Sequence, residues 1–145
     1  MSIKRTGSLD QALNRLLIQK PMHVKAGVMA GSKYPDGTSV ATAAYKNEYG
    51  WKNIPSRAFI RTTVQEQKKN WSVLAVKAAK AGYDVNKILG LVGTQMQGDL
   101  QYSITMWSDP PNAPSTVKAK GFNKPLIDSS LMRDSIKYEI VEGKL

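Results

Sequence analysis

The residues that could do chemistry in this chain are few and widely spaced. His23 is the only histidine and cysteine is absent, so a histidine pair, a three-ligand zinc site or a thiolate nucleophile cannot be assembled within one chain. The eleven Asp and Glu residues are dispersed, and no two share an apolar context of the kind that supports acid–base catalysis. Ser115 and Lys118 fit a Ser-x-x-Lys pattern, but the other motifs of acyl-transfer enzymes are missing. The sequence therefore predicts that the protein is not an enzyme.

Nucleotide and cofactor motifs are missing as well. Gly90, Gly93 and Gly98 fall within a helical pattern, and no Gly-Lys-Ser or Gly-Lys-Thr follows them, which excludes a phosphate-binding loop of the Walker type. We therefore expect neither a cofactor nor a bound metal. One catalytic alternative stays open, a site completed between subunits, and it would require His23 from several chains to converge. Otherwise His23 is expected to be a structural residue of a strand.

Positive charge is the strongest chemical signal. The formal net charge is +10; residues 1–98 hold 15 Lys/Arg and 5 Asp/Glu, whereas residues 99–145 hold 6 of each. This asymmetry is typical of a protein with a polyanionic neighbour, either nucleic acid or an acidic protein face. A lysine-rich surface that only keeps the protein soluble is the alternative. Within a predicted helix over 59–81, four lysines are candidates to face DNA phosphates: Lys68, Lys69, Lys77 and Lys80.

The elements that would position these residues are mostly helical. Apolar stripes with a spacing of three and four residues predict four helices, within 8–17, 40–49, 59–81 and 85–104. Ser39 and Asp84 are the predicted caps of the second and the fourth. Gly90, Gly93 and Gly98 lie inside the fourth, where each costs about 1 kcal/mol relative to alanine. Either that helix breaks at the glycines or another backbone packs close to them.

Two strands are predicted, one before the long helices in the chain and one after them. Apolar and polar residues alternate over 22–30 and again over 135–142, which is the two-residue period of a strand, and the two strands are expected to pair antiparallel under the helices. Asp128 is the predicted cap of one helical turn just before the second strand. The sequence therefore predicts an α+β fold, a small antiparallel sheet packed with about four helices, in one domain over residues 1–145.

Segments for targeting or membrane insertion are not indicated. Polar residues interrupt every apolar run in residues 1–20, so neither a signal peptide nor a membrane span can be drawn there. The sequence thus predicts a soluble protein without a membrane partner. The absence of cysteine fits an intracellular or virion setting.

Three blocks of sequence resemble a family of phage proteins. The first joins NEYG at 47–50 to IPSRAFIR at 54–61 and is similar to the family's "EFG … IPxRPFxR". The second, DPPNAPSTV at 109–117 with KG at 120–121, is similar to "PPNAPSTIxxKG". The third, KPLIDSSLMRDSI at 124–136, is similar to "KPLIDTGxLxxSI". Their residues and order resemble those of the virion-morphogenesis or tail-completion (neck) proteins of tailed double-stranded DNA phages.

The resemblance implies a structural role without catalytic residues. The protein would complete the tail and help join head to tail as a homo-oligomeric ring, of hexameric or related symmetry, around the DNA channel. It would be assembled in the host cytoplasm and located in the virion. Implied partners are portal-proximal or head-completion proteins, tail-terminator or tail-tube proteins, and genomic DNA through nonspecific contact. The alternative function is a nonspecific nucleic-acid-binding protein that uses the basic helix 59–81.

Six residues in or near the blocks are candidates for contact with a neighbouring subunit or another partner. Core packing is the alternative for the large apolar residues, and ordinary solvation is the alternative for the arginines. These candidates are Arg57, Phe59, Arg61, Trp107, Pro110 and Pro111.

The chain departs from the family pattern at two places. Ala58 stands where the family usually has proline, and Ser129-Ser130 replace Thr-Gly. Glycine tolerates positive φ and serine does so less readily. A helical turn capped by Asp128 is therefore expected in place of the family's usual form.

Overall fold

The computed structural model describes residues 8–17, 19–126 and 130–145, and it confirms the predicted α+β class. All four predicted helices are present, together with two shorter ones. In chain order, the described elements are α1 (Ser8–Leu17), β1 (Met22–Val28), α2 (Val40–Tyr49), α3 (Phe59–Lys80), α4 (Val85–Met106), α5 (Pro114–Lys120), α6 (Leu131–Asp134) and β2 (Ile136–Glu142).

The predicted caps of α2 and α4 both form. Ser39 Oγ accepts a hydrogen bond from the backbone N–H of Thr42 (3.3 Å), and Asp84 Oδ1 accepts one from the backbone N–H of Lys87 (2.8 Å). Each bond satisfies one N–H of the first helical turn, which has no partner inside the helix. The caps thus fix where α2 and α4 begin.

The two strands form one antiparallel pair, as predicted. The register runs from Met22 opposite Glu142 to Val28 opposite Ile136, and β1 ends two residues earlier than the alternation suggested. His23 lies in β1, with Nδ1 3.0 Å from the carbonyl oxygen of Gly143. The prediction of a strand histidine is therefore confirmed.

The glycines of α4 do not break the helix, so the first of the two predicted alternatives is wrong. The helix is continuous, and Gly93 instead faces the aromatic ring of Tyr138 on β2. A Cβ atom at Gly93 would lie 2.7 Å from Cγ of that ring, which is closer than atoms can approach. Gly90 and Gly98 have nothing within 4 Å of such an atom. Only Gly93 is therefore required for close packing.

The main core lies where α2, the start of α3, the end of α4 and β2 meet. Its fully buried side chains come from all four elements: Val40, Phe59, Ile104 and Ile136. A smaller cluster, Ala78, Ala79 and Ile88, joins α3 to α4, and Leu16 of α1 packs against it. The main core thus includes residues of the first and third sequence blocks.

Candidate docking and assembly site

The first sequence block folds around the carboxylate of Glu48, near the end of α2. Only 3% of this residue is exposed. Its carboxylate accepts hydrogen bonds from the backbone N–H of Ile60 (2.8 Å), the backbone N–H of Arg61 (2.9 Å) and Arg61 Nε (2.9 Å). Ile60 and Arg61 lie in the first turn of α3, where N–H groups lack partners within the helix and the dipole favours negative charge. Glu48 therefore caps α3, since Ala58 at the cap position makes no side-chain bond.

Arg61 makes two further contacts with residues at the end of α2. Its Nη2 donates to the backbone oxygen of Glu48 (2.7 Å), and its guanidinium lies 4.6 Å from the ring centroid of Tyr49. The side chain remains 54% exposed, whereas that of Glu48 is 4% exposed. Arg61 is thus fixed by its Glu48 bonds while part of its guanidinium faces solvent.

Arg57 joins the first block to the second. Its Nε donates to the backbone oxygen of Pro110 (2.9 Å) and its Nη2 to that of Pro111 (3.0 Å). Its own backbone N–H donates to the oxygen of Asn47 (2.6 Å). The residue is buried, and this burial lowers the pKa of the Arg57 guanidinium from its ordinary value. Arg57 therefore ties the segment before α3 to the proline-rich loop after α4.

The third block enters the same core through Leu126, Met132 and Ile136, which cluster with Phe59. The predicted cap Asp128 lies outside the described residues. Ser130 adopts φ 64° in the left-handed region and makes no side-chain cap bond. The expectation that serine would avoid this conformation is therefore wrong at Ser130. The chain turns there so that Met132 of α6 can reach the core.

The six predicted contact residues divide between core and surface. Arg57 and Phe59 are buried, Trp107 and Pro110 are half-buried, and Arg61 and Pro111 are exposed. Core packing, the alternative named for Phe59, is what the fold shows for that residue. Trp107 packs against the main core, and its buried indole N–H has no partner among the described residues. A partner contact stays a prediction.

The four lysines predicted to face DNA are all exposed on α3. At about 100° per residue, Lys69 and Lys80 lie within about 20° of each other around the helix axis, whereas Lys68 and Lys77 lie on either side of them. Together the four cover about half of the circumference. They form a broad basic face, and DNA binding by this face stays a prediction.

An exposed surface that the sequence analysis did not name lies on α2, the turn after it and the first turn of α3. We call it the aromatic-cationic face, and it consists of Tyr45, Lys46, Tyr49, Trp51 and Arg61. Tyr45, Tyr49 and Trp51 are 61%, 55% and 49% exposed. The two tyrosine rings are 4.9 Å apart, and Lys46 Nζ lies 5.6 Å from the Trp51 ring centroid. These contacts place aromatic rings and cations side by side on the surface.

A signal for this face was present in the sequence. Tyr45 and Tyr49 are four residues apart and therefore share one side of a helix. They fall outside the stripe of Val40 and Ala44, which is the buried side of α2. Aromatic residues on the outer side of a short helix are the pattern that could have identified the surface.

The described part of the chain contains neither a cluster of metal ligands nor a helix suited to cross a membrane. Residues 8–17, 19–126 and 130–145 contain no group of three His, Cys, Asp or Glu residues placed to hold a metal ion. No helix in these ranges has both the length and the apolar character needed to cross a membrane.

Comparisons of the chain with protein-family models, with curated proteins and with solved structures give no match.

Proposed function

We propose that the protein is a structural virion subunit of the phage neck or tail top. It completes the tail and helps join head to tail as part of a ring around the DNA channel, in contact with portal-proximal or head-completion proteins and with tail-terminator or tail-tube proteins. The observation that carries the proposal is the convergence of the three family-like blocks on one scaffold. Glu48 and Arg61 lock the first block, Arg57 links it to the second, and Leu126 brings the third to the shared core.

This convergence supports the resemblance because motifs that characterise a family commonly meet at one structural feature. Most of α3 and all of α4 separate the first block from the second, yet Arg57 reaches across 53 residues to Pro110. Two polar side chains of the first block form structural hydrogen bonds, since the Glu48 carboxylate accepts three and Arg57 donates to two backbone oxygens. Such groups make a rigid building block, as an assembly subunit requires.

The first experiment measures the mass of the purified protein by light scattering and its ability to complete tails. The protein is supplied to phage particles that lack their own tail-completion protein, and tail attachment is counted by electron microscopy. A closed oligomer, or a monomer that restores tail attachment, is expected. A protein that neither assembles nor restores attachment would contradict the proposal. Protein unfolded by heat before addition serves as the control.

A second candidate function is nonspecific nucleic-acid binding through α3. The exposure of Lys68, Lys69, Lys77 and Lys80 on one broad face favours it. The same light-scattering measurement with duplex DNA distinguishes the two candidates. A monomer that coats duplex DNA at low salt and leaves it as salt rises would support the second candidate in place of the first.

A further inference from the structure

We propose that the aromatic-cationic face is a docking site for an acidic, amphipathic segment of a partner protein. The partner's carboxylates would lie against Lys46 and Arg61, and one large apolar side chain would enter a depression beside Tyr45 and Tyr49. The inference rests on the proposed function, because an assembly subunit needs such a partner, and it adds the chemistry by which that partner is recognised.

Charge complementarity identifies the occupant as acidic. Glu48 is the only acid between Asp36 and Glu66, and it is buried with its carboxylate already bonded. Lys46 and Lys52, in contrast, form no ion pair with any described residue. Within residues 37–65, every ionised side chain other than the buried Glu48 is therefore positive, which attracts carboxylates and rejects other cations.

Arg61 is held ready for such a carboxylate. Two of its nitrogens are bonded to Glu48, and no described residue accepts a hydrogen bond from Nη1. A guanidinium already fixed in place loses little rotational freedom when it binds a carboxylate through its remaining N–H groups. Arginine, tyrosine and tryptophan are also the side chains enriched at the energetic centres of protein interfaces.

A depression next to the face fits one apolar side chain. Its volume is about 220 Å³, and Tyr45, Tyr49 and Arg61 form its edge. An apolar cavity of about 150 Å³ accommodates benzene, so this space is large enough for a phenylalanine or leucine side chain. It is smaller than the roughly 300 Å³ at which small-molecule sites begin. Most of its lining is apolar, and the aliphatic side chains in it are Val28, Ala41, Ala44 and Ile60.

Two other occupants fit less well. A second copy of this chain carries the same charge of +10, and its residues 99–145 supply no excess of acid to complement the face. Single-stranded nucleic acid would stack its bases on exposed ring faces. Cations already lie over one face of the Tyr49 ring and one face of the Trp51 ring. A peptide uses the cations and the depression together, whereas a stacked base uses neither fully.

The test is a titration of isotope-labelled protein with a twelve-residue peptide of glutamates around a central Phe-Leu pair. The three tryptophan side-chain N–H signals report the location, because Trp51 is exposed, Trp71 donates to Asp99 (2.7 Å) and the Trp107 N–H is buried. We expect the Trp51 signal to shift to saturation while those of Trp71 and Trp107 stay in place. No shift of Trp51 at millimolar peptide would overturn the proposal.

Matched substitutions test the face against general attraction to a basic protein. Tyr45→Ala is paired with Tyr102→Ala on α4, where the tyrosine is 67% exposed, and Lys46→Gln is paired with Lys69→Gln on α3. Peptide affinity, measured by fluorescence anisotropy, should fall about tenfold for each change in the face and less than about twofold for its control. Equal losses in both members of a pair would show attraction by net charge alone and overturn the proposal.

The apolar pair and the nucleic-acid alternative are tested with other probes. The same peptide with Gly-Ser in place of Phe-Leu should bind about tenfold more weakly, because the depression stays empty. An oligothymidine that binds more tightly than the peptide, and loses affinity with Tyr45→Ala, would assign the face to single-stranded nucleic acid.

The two proposals can fail separately. A protein that restores tails but does not bind the peptide would overturn the docking site and leave the proposed function standing. A protein that binds the peptide at Trp51 but neither assembles nor restores tails would overturn the proposed function alone.

Discussion

At the scale of single residues, Glu48 is the side chain on which the first block depends. Its carboxylate replaces water for two backbone N–H groups of α3 and holds Arg61 in place. Hydrogen bonds to a charged acceptor contribute about 1.5–3 kcal/mol, and a buried N–H left without a partner costs about 1–3 kcal/mol. The stability of the start of α3 is thus tied to one acid on another helix.

We therefore expect Glu48→Ala to lower the free energy of unfolding by about 2–3 kcal/mol, because two N–H groups of α3 and the Arg61 Nε lose their acceptor. The measurement is urea denaturation followed by circular dichroism. Glu66→Ala, on the exposed surface of α3, is the control and should change the free energy of unfolding by less than about 0.5 kcal/mol. Equal effects of the two substitutions would show that the Glu48 contacts add no stability.

Ser130 has a backbone conformation that glycine adopts more readily than serine. Its φ of 64° lies in the left-handed region, which costs a residue with a Cβ atom about 1 kcal/mol relative to glycine. Ser130→Gly should raise the free energy of unfolding by about 0.5–1 kcal/mol, as measured by thermal and urea denaturation.

The same chemical change elsewhere provides the control for Ser130. Ser72→Gly replaces a serine in the interior of α3, where glycine lowers helix stability by about 0.5 kcal/mol. The two substitutions should thus have opposite signs. A loss of stability with Ser130→Gly would mean that the serine side chain stabilises the fold by more than the left-handed backbone costs.

At the scale of elements, α4 and β2 are fitted together at Gly93. A Cβ there would meet the Tyr138 ring, and overpacking of this kind costs about 1–3 kcal/mol. Gly93→Ala should therefore lower the free energy of unfolding by about 1–2 kcal/mol even though alanine favours a helix. Gly98→Ala, in the same helix but with open space around it, should raise it by about 0.5–1 kcal/mol.

A double-mutant cycle separates the ring contact from other effects at Gly93. With Tyr138→Ala already present, Gly93→Ala has no ring to meet and should be stabilising, by about as much as Gly98→Ala. A destabilising effect of Gly93→Ala that persists without the Tyr138 ring would place the clash elsewhere.

The elements show which features of the fold are predictable from sequence. Caps at Ser39 and Asp84 and the two strands were predicted correctly because each depends on residues within a few positions of one another. The tight approach of Gly93 to Tyr138 was not predictable, since it depends on how α4 lies across the sheet.

The candidate site was less predictable than the fold for the same reason. The sequence placed Glu48 and Arg61 in one block, but their contact joins residues 13 positions apart on two helices. The link from Arg57 to Pro110 spans 53 positions. The spacing of Tyr45 and Tyr49 indicates the α2 part of the aromatic-cationic face, but the position of Arg61 beside Tyr49 depends on how α3 packs against α2.

At the scale of the whole molecule, the net positive charge means that ring formation and DNA binding should respond to salt in opposite directions. Subunits of charge +10 repel one another, and residues 99–145 have no excess of acid to offset that repulsion. Salt screens repulsion over about 10 Å at 0.1 M, so ring formation should strengthen as salt rises. DNA binding weakens as salt rises, because each phosphate contact releases counterions.

We accordingly expect the oligomeric fraction, measured by light scattering between low and physiological salt, to increase with salt concentration. If the four lysines of α3 instead bind duplex DNA, the logarithm of the affinity should fall against the logarithm of salt with a slope of roughly −3 to −4, and Lys69→Gln with Lys80→Gln should reduce that slope by about 2. An oligomer that dissociates as salt rises would mean that opposite charges hold the subunits together.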